Sequence, residues 1–255
     1  VQNHIMQIVA QLAMEQPVAF TDADVRVEKI KALRSLRLYT PSEAAANFVR
    51  GQYDAGDGTN AYRHEDGVDP ESGTETFVAA KLMFDNYRWS GVPFYVRTGK
   101  KLADKFTRID VVFKKPLIDI FANPRSESDQ SLNSNVLTIF VEPNSGFAIQ
   151  LNAKHAGQGF TTEPVDLRFL QSDSDKKESP EPYERLFHDA LEGNHTNFAS
   201  WAEIAYAWKF VDVIRKLWDI EKPQFPNYTP GSMGPAASDE LLARDGRKWV
   251  YRLNH

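Results

Sequence analysis

The spacing of apolar positions changes twice along this chain. Over VQNHIMQIVAQLAMEQ, Val1, Ile5, Ile8, Val9 and Leu12 recur at helical intervals. This predicts a helix to about Glu15 that Pro17 ends. A second amphipathic helix follows, capped by Thr21 or Asp22, with Val25, Ile30, Leu33 and Leu36 on its apolar side. The Gly- and Asp-rich stretch from Asp54 to Gly73 reads as a long loop. The spacing then shortens towards two. TETFVAAKLMFDNYRW, VPFYVRT, FTRIDVVFKK, NVLTIFVEP, GFAIQLNAK and VDLRFL are rich in β-branched and aromatic residues and read as strands. Turns at Ser90-Gly91 and from Pro143 to Gly146 join them. No long helical pattern separates them, so the pairing should be mainly antiparallel. The connection from Pro116 to Leu132 has room for a short helix.

From Glu181 the helical interval returns, in EPYERLFHDALEG and then SWAEIAYAWKFVDVIRKLWD. In the second, Trp201, Ile204, Ala205, Trp208, Val211, Ile214 and Leu217 mark the apolar side. A Pro- and Gly-rich stretch from Lys222 to Gly234 leads to a short helix near Ser238–Arg244 and the final KWVYRL. Tyr183, Trp201 and Trp208 are expected in the core. Helices, then sheet, then helices is the order of an α+β fold. The first helix lacks a capping residue or flexible arm before its apolar run, so the chain is expected to be a fragment.

Composition narrows the function classes. With 255 residues, 42% of them hydrophobic and none of them cysteine, the chain fits one large domain or two small ones with no disulfides or thiolate metal site. No run of 18 apolar residues is present, so no membrane span is expected. The net charge of −5 argues against nucleic acid as a partner. Within it, the window Arg97–Lys115 holds seven basic and two acidic residues, a local +5. A cationic site on an acidic chain points to a small anion.

Two places carry candidate chemistry. At about 100° per residue, His4 lies roughly 80° from the apolar stripe of its helix. It is expected at the stripe's margin, either as a half-buried histidine bonded to a carbonyl or as a general base at the wall of a cleft. VPFYVRTGKKLADK is an apolar strand that stops at Thr98-Gly99 and releases cations, with Gly99 expected to turn the chain through its backbone freedom. If the loop turns, Lys100 and Lys105 could reach one phosphate; a solvated lysine loop on an edge strand is the other reading. YDAGDGTNA lacks the spacing of a dinucleotide loop, and the six histidines show no metal-binding interval. SDSDKKES reads as a solvated acidic loop.

Several segments together resemble the glucose-6-phosphate dehydrogenase family: VQNHIMQIVAQLAMEQP, RGQYDAG, RWSGVPFYVRTGKKL, EPYERLFHDAL, AWKFVD and GSMGPAASDELLARDG followed by KWV. They stand in family order along nearly the whole chain. The resemblance implies that residues 1–255 form the C-terminal substrate-binding and dimerisation domain, a large antiparallel sheet with helices packed on one side. The family's N-terminal dinucleotide-binding domain, with its G-x-x-G-D-L-A loop and D-H-Y-L-G-K segment, is not in this sequence. It implies oxidation of glucose 6-phosphate to 6-phosphogluconolactone with NADP as hydride acceptor, in the pentose phosphate pathway of the cytoplasm. His4 takes the place of the catalytic base, and Lys100 and Lys105 those of two phosphate contacts. The base's orienting Asp belongs to the absent segment, so the chain alone is expected to be inactive. Some members hold a second, structural NADP through an Arg, a Lys and a C-terminal Trp. Here Phe140 and Gln150 stand at the first two places and only Trp249 is kept, which leaves that site unsupported. Glu142 falls where those members place a Gln near the sugar. A homodimer through the sheet is implied, with no nucleic acid and no membrane partner. The alternative is a non-catalytic relative that kept the fold for assembly or regulation.

Overall fold

A computed structural model describes residues 1–118, 132–157, 161–172, 174 and 180–250. The helix expected between Pro116 and Leu132, most of SDSDKKES and the end of KWVYRL lie outside the described residues. The chain divides into two units, one of Val1–Asp104 with Glu181–Trp249, the other of Lys105–Pro180 with Val250–His255.

The first unit contains α1 (His4–Ala13), α2 (Asp22–Arg34), α3 (Pro41–Asn47), β1 (Phe48–Gly51), β2 (Phe77–Leu82), β3 (Phe94–Gly99), α4 (Pro182–Leu191), α5 (Trp201–Ile220) and α6 (Ala236–Ala243). Its strands form an antiparallel sheet in the order β1-β2-β3, with Phe77 opposite Gly99 and Leu82 opposite Phe94. Helix starts follow side-chain capping. Thr21 accepts from the Asp24 N–H to begin α2. Thr40/Glu43 and Ser200/Glu203 form reciprocal capping boxes that begin α3 and α5. The main core gathers Met6, Val9, Ala10 and Ala13 of α1 with Leu33, Leu36, Leu82, Phe84, Phe210 and Ile214. A second cluster gathers Tyr53, Phe77, Ala79, Tyr228, Leu241 and Leu242.

The second unit carries β4 (Thr107–Val112), β5 (Val136–Glu142), β6 (Gly146–Lys154) and β7 (Thr162–Leu170), all antiparallel and in sequence order. Its two faces differ. On one, Thr138 and Ala148 are fully buried, Thr138 donates to Asp110 at 2.7 Å, and Arg108 pairs with Asp110 at 3.0 Å. On the other, Phe147 faces Phe169, Ile149 faces Leu167 and Leu151 faces Val165 across β6 and β7. Of these, Leu167 is 61% and Phe169 56% exposed. The antiparallel α+β arrangement is as the sequence implies, with its described strands shared between two ladders.

The core expectation for three aromatics is corrected. Tyr183, Trp201 and Trp208 are all exposed, Trp201 at 81%. The buried side of α5 is Glu203, Ala207, Phe210 and Ile214. That stripe has helical spacing, and it is turned towards α2 because Glu203 meets Lys29 there at 2.6 Å. The apolar residues of α5 cover more than one face: of the predicted stripe Ile214 is buried and Val211 and Leu217 pack against the core, while Trp201, Ala205 and Trp208 are exposed.

Candidate functional site

α1 packs against α2 and shares the main core with Leu82 and Phe84. At its last turn the Trp89 indole N–H, just before β3, donates to the Ala13 carbonyl at 2.9 Å. The Thr76 carbonyl accepts the Lys100 N–H at 2.8 Å. The last turn of α1 therefore lies near the start of β3, and Lys100 is tied just beyond that strand's other end.

His4 is exposed, which corrects its expected half-buried place. The buried residues Met6, Val9, Ala10 and Ala13 centre roughly 190° from it at 3.6 residues per turn. The stripe marked by Val1, Ile8 and Leu12 is a second apolar arc, only partly covered, with His4 at its edge. No side chain caps the helix; Asn3 stands at the cap position, where its carbonyl accepts the Gln7 N–H at 3.0 Å and its side chain makes no cap bond.

Gly99 also behaves otherwise than expected. Its φ is not in the left-handed region; Lys101, at φ 53°, makes the turn. Gly99 is needed for space, since a Cβ there would stand 2.7 Å from Phe77 Cδ2. The same ring excludes a side chain at Gly234, where a Cβ would meet it at 2.3 Å and φ is +106°. Phe77, 1% exposed, is thus clasped between two glycines, one at the end of β3 and one in the Tyr228–Gly234 segment.

That segment fastens the lysine loop along its backbone. The Tyr228 hydroxyl donates to the Lys100 carbonyl at 2.9 Å, Gly231 N–H donates to Lys101 at 2.9 Å, and Ala103 N–H to Ser232 at 2.9 Å. The side chains of Lys100 and Lys101 remain exposed. Burial raises the Tyr228 hydroxyl pKa, so it keeps its proton and serves as donor. RGQYDAG joins the same segment, its Asp54 N–H donating to the Tyr228 carbonyl at 2.9 Å. Gln52 is wholly buried and donates to the Ser72 and Thr74 carbonyls at 3.1 and 2.9 Å. Tyr53 bonds Glu65, and its hydroxyl is pushed up to about 12 by burial and then by that carboxylate.

The remaining candidates separate. Lys105, exposed, opens the second unit. Glu142 is exposed at the end of β5. Phe140 and Gln150 lie in the second unit's sheet, with the Arg168 guanidinium 5.6 Å from the Phe140 ring centre. Trp249 belongs to the first unit; Arg97 covers its face at 4.5 Å and Tyr95 meets its edge at 6.3 Å. An aromatic ring and a neutral amide at the first two places offer no charge to a phosphate, so these residues do not fit a second dinucleotide. The main nicotinamide site does not fit here either: Asp54–Gly73 joins no strand to a helix in the manner of a phosphate-binding loop. Among the described residues no cluster of His, Asp and Glu could hold a metal, and no helix is long and apolar enough to cross a membrane.

Sequence reasoning missed Tyr228, Phe77 and the 228–234 segment as the support of the lysine loop. The spaced glycines of GSMGP were a signal, since a glycine repeated beside a buried aromatic marks close backbone approach.

Comparison with known proteins accords with this architecture. The family model described as "Glucose-6-phosphate dehydrogenase, C-terminal domain" matches residues 1–250. A glucose-6-phosphate 1-dehydrogenase of Bacillus subtilis is 48% identical over 98% of this chain and 51% of its own length. One of Leuconostoc mesenteroides is 45% identical over 99% and 51%. A Mycobacterium avium glucose-6-phosphate 1-dehydrogenase crystal structure superposes with TM-score 0.79 at 28% identity, over all of this chain and 50% of that one. A glucose-6-phosphate dehydrogenase structure "in complex with its substrate glucose-6-phosphate" gives TM-score 0.80 at 29% identity, over 98% of this chain and 50% of that one. The chain thus spans about half the length of the relatives it matches. With the antiparallel ladders, the His4 helix and the fastened lysine loop matched together along residues 1–250, the chain belongs to the glucose-6-phosphate dehydrogenase C-terminal domain family.

Proposed function

We propose that this chain is the substrate-binding half of a glucose-6-phosphate dehydrogenase, which oxidises glucose 6-phosphate to 6-phosphogluconolactone with NADP as hydride acceptor. The observation that supports this is the family match over residues 1–250, a span that includes an exposed imidazole at the start of α1 and an exposed ammonium just after β3. Lys100 and Lys105 supply point charges to the phosphate. Their five-residue separation limits their Cα atoms to about 17 Å apart. His4 accepts the proton of the C1 hydroxyl, which raises electron density on that oxygen as the hydride leaves C1. The dinucleotide site lies on the other half of the enzyme, so the chain alone does not turn over. The reaction's place in cytoplasmic carbohydrate metabolism follows from this reading.

The chain assembles as a homodimer through the open face of β6 and β7. An apolar sheet face of this kind is covered in solution, and a second copy covers it with the same residues.

Calorimetric titration tests the substrate reading. The chain should bind glucose 6-phosphate and not glucose, and Lys100→Ala and Lys105→Ala should each weaken binding. Equal binding of the two sugars would overturn it. NADPH formed by the isolated chain from glucose 6-phosphate and NADP would overturn the division of labour.

A further inference from the structure

We infer that Tyr228 is a positioning residue for Lys100, acting through that lysine's backbone carbonyl; this rests on the reading of Lys100 as a phosphate contact. Tyr228 is 5% exposed and far from Lys100 in sequence. Its hydroxyl lies 2.9 Å from the Lys100 carbonyl and 2.9 Å from Thr76 Oγ1. The proton assignment follows from the partners. A carbonyl only accepts, and the Lys100 carbonyl at 2.9 Å is nearer than the Thr76 carbonyl at 3.4 Å, so the single phenolic proton goes to Lys100 and Thr76 Oγ1 donates to the phenol oxygen. Thr76 Oγ1 in turn accepts the Tyr53 N–H at 3.1 Å. A directed chain of hydrogen bonds thus runs from the Tyr53 amide through two hydroxyls to the peptide group that follows the Lys100 side chain.

The geometry gives this chain something to decide. Lys100 N–H is tied to Thr76 at 2.8 Å, and the next residue, Lys101, adopts φ 53°. Rotation about the Lys100 Cα–C bond would turn its carbonyl and, relative to the Lys101 peptide held by Gly231, its Cα–Cβ bond. The Tyr228 ring cannot follow such a rotation. It packs 5.7 Å from Phe77 and 6.3 Å from Tyr53, and its own carbonyl accepts the Asp54 N–H at 2.9 Å. A donor on a fixed ring therefore selects one orientation of a flexible, exposed cation before any anion arrives, and the entropy of ordering the loop is not charged to binding.

The test is a double-mutant cycle on the chain, titrated with glucose 6-phosphate: unaltered, Tyr228→Phe, Lys100→Ala, and both together. Tyr228→Phe keeps the ring and should weaken binding about fivefold, the usual size of one lost neutral hydrogen bond. In the Lys100→Ala background it should change binding by less than about twofold. The same weakening in both backgrounds would mean a general packing role and overturn the inference, as would Tyr228→Phe binding like the unaltered chain. Lys100→Ala binding like the unaltered chain, or no binding by the unaltered chain, would overturn the reading of Lys100 itself. Thermal melts check that each variant folds. If Tyr228→Phe does not, Thr76→Val removes the hydroxyl that holds the phenol on the carbonyl. It carries the same expected sign and the same null in the Lys100→Ala background.

Discussion

Lys29 of α2 and Glu203 of α5 form a 2.6 Å ion pair in which both side chains are almost wholly withdrawn from water. The other carboxylate oxygen accepts from the Ser200 N–H at 3.0 Å and the Ser200 hydroxyl at 2.8 Å. One carboxylate thus caps its own helix and anchors the neighbouring one. Removing one partner leaves a buried charge, so Lys29→Met should cost about 3–5 kcal/mol, with the double change Lys29→Met/Glu203→Gln costing less than the single one. Urea unfolding measures both. The acid side follows from the carboxylate. Burial pushes Glu203 up, but Lys29 and the two Ser200 donors outweigh it and leave the group below its ordinary value. A lowered folded pKa gives stability present above the unfolded value and lost as pH falls through the folded one. Below about pH 4 the urea midpoint of the unaltered chain should therefore fall more steeply than that of Glu203→Gln.

Three phenols shape the alkaline limit. Tyr39, Tyr53 and Tyr95 are each pushed up to about 12, by burial first and, for Tyr53 and Tyr95, by hydrogen bonds to Glu65 and Asp245. A raised folded pKa gives stability that is complete below the unfolded value, about 10, and lost as pH rises towards the folded one. Absorbance at about 295 nm, where ionised phenol absorbs, should show these three ionising well above the ordinary value of about 10. Titration of all nine tyrosines together near the ordinary value would sink this.

Gly234→Ala should destabilise by about 2–4 kcal/mol, the sum of a left-handed backbone penalty and an overpacked contact. The added methyl would stand 2.3 Å from the Phe77 ring. Gly58→Ala is the control: its φ is +69° but nothing lies within 4 Å of a Cβ there, so it should cost only the backbone part. Chemical unfolding midpoints compare the two.

On the sheet of the second unit, Leu167→Glu with Phe169→Lys places charges on the open face without touching the buried Thr138 side. Light scattering should report a dimer for the unaltered chain and a monomer for this variant. A monomer in both cases would remove the dimer proposal.

The elements were mostly legible in the sequence, because strands and long helices announce themselves through period. All six expected strands are present, from β2 to β7, with ends within about three residues except the first, which was expected to run on to Trp89 and stops at Leu82. The pair α3 and β1 was not foreseen, although Thr40-Pro41-Ser42-Glu43 carries a capping box and a proline at the first helical position. What period does not carry is which apolar arc meets the core. α1 and α5 each have more than one, and the choice is made by partners distant in sequence, Leu82 and Phe84 for α1 and Lys29 for α5. A lysine inside a helix interface is invisible until its carboxylate is found. The candidate cations were legible as charge. Their support was not, because Tyr228 acts from 128 residues away.

The clasp of Phe77 by Gly99 and Gly234 means that the position of the cationic loop is set by shape rather than by charge. Raising ionic strength shortens the reach of the lysine field, to about 8 Å at 0.15 M and about 3 Å at 1 M, and so loosens a bound anion. It leaves a steric stop untouched. An electrolyte strong enough to mute Lys100 and Lys101 leaves the loop that carries them where the Phe77 ring holds it.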